Sequence, residues 1–289
     1  MLPIIAGVIT ALAFTISTLA SARASRIAGA APTVAGVMLV GAALVLPFAL
    51  TVSPLPSGPG VTESVILAAL AGAANVGGLL FAYSAFRIGA VGIISTIDST
   101  EGAIAAVLSV LAGQALAPGS GPALVVIAVG VVLAATSGGH ELEEGIAISR
   151  AQSLRAAGLA ACAASLFGLG LFVTGHVSST LPAMWIILPG RIVGITMVAL
   201  PLFVTGRLHV PRSALPLIVL IGFVEVLGFV SFAAGAREDI AITSVLASMF
   251  APMAAVAAFI LFKERLAPRQ IAGIALVVVG ILTLGVLAA

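Results

Sequence analysis

Ten apolar runs follow one another along the chain, and each is long enough to cross a lipid bilayer, which takes about 17–25 residues of helix. Charges, prolines and glycines mark the boundaries between them. Lipid offers no hydrogen-bond partners, so a crossing segment must satisfy its backbone internally, and each run is predicted to be a membrane-spanning helix. The ten predicted spans are 2–21, 32–52, 64–86, 89–111, 121–137, 153–173, 181–204, 214–236, 240–262 and 271–289.

Charged residues are too scarce for a water-soluble surface. They make up 8% of the chain, whereas 61% of the residues are hydrophobic, and a soluble domain carries about 25% charged residues. Most of the surface is therefore expected to contact lipid. The first run lacks the preceding basic residues of a signal peptide, so it is interpreted as a span. No basic tract lies beside aromatic residues, which excludes a nucleic-acid-binding class.

A shift of 150 residues aligns the two halves of the chain. It indicates a duplication, because the matches keep one register across five spans. The predicted organisation is an N-terminal five-helix repeat over 1–139, a polar linker over 140–152 and a C-terminal five-helix repeat over 153–289. The shift places Arg87 on Arg237, Leu116-Ala117-Pro118 on Leu266-Ala267-Pro268, Gly130 on Gly280, Gly72 on Gly222 and Asn75 on Glu225.

An odd number of spans per half predicts that the second half enters the membrane from the opposite side, which makes the fold an inverted repeat. The basic residues agree, because ten of the 12 Lys and Arg residues lie in or beside connectors 1–2, 3–4, 5–6, 7–8 and 9–10. Basic loops face the cytoplasm, so both termini are predicted to lie outside.

The C-terminal stretch resembles a known family. Residues 244–252 (SVLASMFAP), then Lys263-Glu264-Arg265-Leu266, Gln270, Gly273 and Gly280 resemble the last two helices of EamA-type carriers of the drug/metabolite transporter superfamily. The first half departs from the pattern, with Gly102 in place of the central Pro and Gln114 in place of Glu. The resemblance implies secondary transport of a small metabolite or drug, with amino acids among the substrates and export as the direction, and no cofactor.

Four charged residues lie inside predicted spans, namely Asp98, Glu101, Arg191 and Glu225. A charge at the bilayer centre costs about 2.5–3.5 kcal/mol on insertion scales, so such residues point to function or to pairing. Asp98 and Glu101 are three residues apart and are expected to share one helical face. One hypothesis is that these carboxyls exchange protons with a substrate. The alternative is that one of the three acids pairs with Arg191 and fixes the packing.

Three further polar residues are candidates for substrate or proton binding. Asn75 occupies the position equivalent to Glu225, near the expected axis between the halves, although an interhelical hydrogen bond is the favoured reading for it. Ser248 belongs to the counterpart of the polar fourth span, and Tyr83 is the one tyrosine of the chain.

No nucleotide-binding loop, no cluster of metal-ligand spacing and no nucleophile with a base is visible, so an enzyme, a metal and a cofactor are not expected. The sequence predicts a secondary active transporter in the bacterial inner membrane that works by alternating access, with proton coupling as a hypothesis. Two alternatives stay open: a lipid or lipid-linked-sugar translocase, and a non-transporting membrane receptor or scaffold. Monomer and dimer are both left open.

Overall fold

The computed structural model describes residues 2–112, 119–136, 149–177, 180–236, 247, 249–261 and 268–288. Throughout these residues the regular structure is helical and no strand occurs, which confirms the all-α prediction for this part of the chain. The helices are α1 Leu2–Ala28, α2 Ala30–Thr51, α3 Val61–Phe86, α4 Val91–Asp98, α5 Glu101–Leu111, α6 Ser120–Thr136, α7 Arg150–Val177, α8 Ala183–Gly194, α9 Leu200–Val204, α10 Leu215–Ala236, α11 Phe250–Leu261 and α12 Pro268–Ala288.

Six helical segments in the described part are long and apolar enough to cross a membrane. Their composition leaves few charged residues in each, so water is a poor solvent for their outer faces. The six segments are Ile4–Ala28, Ala30–Thr51, Val61–Phe86, Arg150–Thr174, Ala183–Val204 and Leu215–Gly235.

The first helix runs past its predicted end at residue 21 and stops at Ala28. Gly29 follows with φ 89°, a conformation that glycine adopts without steric cost, and α2 begins at once. Near this end the Arg26 Nε donates to the carbonyl of Phe86 at 2.9 Å, and its Nη2 donates to that of Gly89 at 3.3 Å. Arg26 therefore caps the last turn of α3 and brings the ends of α1 and α3 to one end of the bundle, called here the basic end.

The predicted fourth span is interrupted. Helix α4 ends at Asp98, Ser99 and Thr100 form a turn, and α5 begins at Glu101. The hydroxyls of Ser99 and Thr100 donate to the carbonyls of Thr96 and Ile97 at 2.8 and 2.7 Å. Such side-chain bonds compete with the backbone ladder, which explains why the helix breaks at this polar cluster.

The predicted seventh span is one helical rod with a π-helical turn. Helix α8 passes into a π turn at Ile195–Ala199 and continues as α9. Pro201 lies just after the π turn, lacks an N–H group and crowds the carbonyl four residues earlier. A π turn accommodates this disruption without breaking the rod.

Helices α6 and α12 pack closely through two glycines. A Cβ atom at Gly130 would lie 2.8 Å from the nitrogen of Val277, and one at Gly280 would lie 2.5 Å from Cγ1 of Ile127. Small residues allow helix backbones to approach in this way where no hydrophobic force acts between helices.

Two more glycine contacts join α3 to α8 and α10 to α2. At Gly72 a Cβ would lie 2.2 Å from the Cα of Gly190, so these backbones touch directly. At Gly222 a Cβ would lie 2.5 Å from Cγ1 of Val40. The four helices are thereby held at short distances around the middle of the bundle.

Apolar packing is uneven along the bundle. The largest buried cluster joins the last turns of α1 and α3, the start of α2, helix α4 and the first half of α7 and α10, which all lie toward the basic end. Toward the opposite end the buried clusters are small, and one of them consists of Val45, Ala49 and Leu188. The helices are therefore sealed together at the basic end and packed more loosely at the other.

Candidate functional site

A buried ion pair joins α8 to α10. The Arg191 Nη1 lies 3.0 Å from the Glu225 Oε2, and the two side chains are only 3% and 6% exposed. Each is the one charged residue of its helix. At this separation each charge compensates the other, which is the condition for placing both away from water.

The second carboxylate oxygen of Glu225 is also bound. The Tyr83 hydroxyl of α3 donates to Oε1 at 3.3 Å, and the tyrosine is 2% exposed. Three of the residues singled out in the sequence, Tyr83, Arg191 and Glu225, thus form one cluster where α3, α8 and α10 meet. The partner of Arg191 is Glu225 rather than Asp98 or Glu101.

Three residues of other types surround the guanidinium. The Arg191 Nη1 donates to the Met38 sulfur at 3.6 Å, and Cζ lies 6.0 Å from the ring centroid of Phe229, within reach of a cation–π interaction. A Cβ at Gly41 would lie 2.8 Å from the Arg191 Nε. The 150-residue shift places Gly41 on Arg191, and this equivalence could have identified Gly41 as a site residue from the sequence. No comparable feature of the sequence points to the apolar Met38 and Phe229.

One carboxylate oxygen of Asp98, Oδ1, is buried without a hydrogen-bond partner among the described residues. Asp98 is the last residue of α4 and is 6% exposed. The neighbouring hydroxyls of Ser95 and Thr96 donate to the carbonyl of Gly92 instead. A buried carboxylate without a partner is costly, so this carboxyl suits a group that holds a proton or binds a cation.

Glu101 lies across the helix interruption from Asp98 and is half-buried. Asp98 ends one helix and Glu101 begins the next. The two carboxyls therefore lie on either side of a turn, and not on one face of a continuous helix as predicted.

Asn75 lies apart from the ion pair. Asn75 is half-buried on α3, where its backbone nitrogen faces Gly170 of α7. It precedes Tyr83 by eight residues, which is about 12 Å along a helix. Ser248 lies outside the described residues.

Apolar helices of membrane-crossing length around a buried ion pair define a multi-pass membrane protein. The model of the EamA-like transporter family matches residues 154–286. The second half of the chain is thus similar to this family, part of the drug/metabolite transporter superfamily, which confirms the resemblance in its motifs. The class that follows is a membrane transporter of small substrates.

A solved structure shares the fold over nearly the whole chain. It is titled "Crystal structure of protein", has a TM-score of 0.62 and 17% identity, and the alignment covers 96% of this chain and 94% of that chain. At this identity the likeness concerns the fold alone. Among curated proteins, none matches the sequence.

Proposed function

We propose that the protein is a secondary active transporter that exports a small metabolite or drug, amino acids among them, across the bacterial inner membrane. Two inverted five-helix halves, 1–139 and 153–289 joined by the linker 140–152, alternate access to a site between them. Proton binding at Asp98, with Glu101 beside it, couples transport to the proton gradient. The observation that carries the proposal is a buried ion pair together with a second buried carboxyl, Asp98, one oxygen of which has no hydrogen-bond partner among the described residues.

Symmetry-related contacts support the inverted halves. Gly130 packs against Val277, and Gly280 packs against Ile127. Adding 150 to 130 gives 280, and adding 150 to 127 gives 277, so the two contacts exchange under the repeat register. A two-fold axis between the halves produces such a pair of contacts. If one residue contacts the repeat equivalent of a second residue, the second residue also contacts the repeat equivalent of the first.

A second reciprocal pair is Gly72 with Gly190 and Gly222 with Val40, since 72 maps onto 222 and 40 onto 190. Position 41 maps onto 191, and Gly41 contacts Arg191 itself. A residue that contacts its own repeat equivalent lies at the axis, so Arg191 is proposed to lie there. Carriers with inverted repeats bind substrates and coupling ions at the interface of the repeats.

The proposed orientation has both termini outside and the basic end in the cytoplasm. The contacts of Arg26 with Phe86 and Gly89 bring two of the basic connectors to one end of the bundle. Gly89 also meets Ala156 near the start of α7, which adds a third. This grouping supports the alternation of basic connectors along the chain.

The test is transport in proteoliposomes with a panel of radiolabelled amino acids and cationic drugs, with and without a pH gradient. Asp98→Asn removes the ionisable group with little change of shape, and Glu63→Gln is the matched control because Glu63 is exposed in the first turn of α3. We expect Asp98→Asn to abolish stimulation by the pH gradient while exchange of substrate without a gradient continues, and Glu63→Gln to behave as wild type. Gradient-driven transport that Asp98→Asn leaves unchanged contradicts the coupling role.

The same vesicles separate the two alternatives. Movement of a fluorescent phospholipid between leaflets, with no transport of any panel compound, favours a lipid translocase. Neither activity in folded protein favours a receptor or scaffold.

A further inference from the structure

An open cavity of about 310 Å³ lies at the end of the bundle opposite the basic end. Its walls come from the last turns of α2 and α10 and the start of α8, with Ser53 and Pro54 from the following connector. The walls are predominantly apolar, with Phe48, Met184 and Val230 as the larger side chains.

The cavity lies directly along the three helices that surround Arg191. Phe48 follows Gly41 by seven residues on α2, Met184 precedes Arg191 by seven on α8, and Val230 follows Glu225 by five on α10. Seven residues are about two helical turns, or roughly 10 Å. The same three helices therefore line the cavity and, deeper in the bundle, hold the ion pair and its glycine contact.

A thin apolar layer separates the cavity from the ion pair. It consists of Val45, Ala49 and Leu188, with Trp185 and Val226 packed around it. Val45, Leu188 and Val226 lie between the cavity walls and the ion pair along their helices, and Ala49 follows the wall residue Phe48. The layer is small compared with the large buried cluster that seals the basic end.

An unused donor lies at this layer. The indole Nε1 of Trp185 is buried and has no hydrogen-bond partner among the residues described. A buried indole N–H normally finds an acceptor. Trp185 follows the wall residue Met184 and lies outside the cavity lining, so its N–H can serve an acceptor group that enters the layer.

We infer that this cavity is the outer binding site of the transporter and that it holds the apolar body of the substrate. The substrate class is a compact amphipathic molecule with a hydrocarbon or aromatic portion and a hydrogen-bond acceptor. The layer of Val45, Ala49 and Leu188 is the barrier that the polar end of the substrate passes to reach Arg191 and Glu225. This inference rests on the proposed transport function.

Binding is tested directly by thiol protection. The native Cys162 is exposed, so a Cys162→Ser background provides a cysteine-free chain. Ala183→Cys then reports on the cavity wall, and Ser57→Cys, exposed in the connector after α2, is the control. A membrane-impermeant thiol reagent labels each variant in the presence of 3-phenylpropionate or 2-phenylethanol, or of propionate or ethanol, which lack the ring.

We expect the ring-bearing compounds, and not the ring-free ones, to slow labelling of Ala183→Cys, while labelling of Ser57→Cys stays unchanged. The charge of the more protective compound identifies the polar end. Equal labelling with all four compounds at concentrations up to the solubility limit overturns the inference.

Transport gives the second measurement. Ala233→Phe fills the cavity from α10, and Ala43→Phe on the exposed face of α2 is its control. Transport of the protective compounds should fall at least about tenfold in Ala233→Phe, equivalent to 1.4 kcal/mol, and stay unchanged in Ala43→Phe. If folded Ala233→Phe transports at the wild-type rate, the inference that the cavity binds substrate is overturned, while the proposal that the protein is a transporter stands. Thiol protection without transport by the wild type instead contradicts the transporter proposal alone.

Discussion

Replacing Glu225 by glutamine tests whether the ion pair stabilises the fold. Glutamine has nearly the same shape and retains an oxygen that accepts the Tyr83 hydroxyl, so the change removes one negative charge and little else. It leaves Arg191, whose side chain is 3% exposed, without its carboxylate. Met38 and Phe229 stay near the guanidinium but supply no compensating charge.

Removing one partner of a buried pair costs about 3–5 kcal/mol, because the remaining charge is left uncompensated. The Tyr83 bond is kept, so its contribution of about 0.6 kcal/mol in a membrane interior is not lost. We therefore expect Glu225→Gln to lower the free energy of unfolding by about 3 kcal/mol, the lower end of that range. The Arg191→Met, Glu225→Gln double variant should recover most of this loss, because methionine removes the orphaned charge.

The assay is reversible unfolding in mixed detergent micelles, followed by circular dichroism for wild type, both single variants and the double variant. The interaction free energy of the cycle should be about 2 kcal/mol or more, within the range for residues in contact. Effects of Arg191→Met and Glu225→Gln that simply add would refute the pairing as a source of stability.

Three further outcomes are expected. Gly72→Ala places a methyl group against the backbone of the neighbouring helix at Gly190, and this overpacking should lower the free energy of unfolding by about 1–3 kcal/mol. Gly158→Ala meets nothing within 4 Å and should be neutral or stabilising in the same unfolding assay. Gly41→Ala should displace the Arg191 guanidinium and reduce transport while the helical content by circular dichroism stays unchanged. Asp98→Asn should leave the unfolding midpoint unchanged or raise it, because it removes a buried carboxyl whose Oδ1 has no hydrogen-bond partner among the described residues; a lower midpoint would indicate a partner for that group.

The sequence identified the buried charges because a charge within an apolar span is conspicuous, but it could not choose a partner for Arg191. Three carboxyls were available, and the choice depends on how each helix is rotated about its axis. A uniformly apolar helix gives no amphipathic stripe from which to read that rotation. The structure supplies it, through the glycine contacts that pack α8 against α3 and α10 against α2.

Helix ends were less predictable than the spans. Hydropathy ends the first span before Arg23, yet α1 continues to Ala28, because arginine places its stem along apolar surface while its head reaches polar groups. The interruption at Ser99 and Thr100 was also missed. The hydroxyl-rich cluster was visible in the sequence, but whether such residues bond to their own helix or across to another is decided by packing.

The distribution of charge assigns different tasks to the two buried acids. Glu225 has both oxygens bound, one by Arg191 and one by Tyr83, so a proton there would cost an ion pair that holds two helices together. The Oδ1 of Asp98 has no hydrogen-bond partner among the described residues, and Asp98 ends a helix at a turn. A group that must gain and lose a proton in each cycle needs comparable free energies in both forms, and fixed compensation works against that. These contacts support the proposal that protons bind at Asp98 and not at Glu225, and that Glu225 instead holds α8 and α10 together beside the proposed axis.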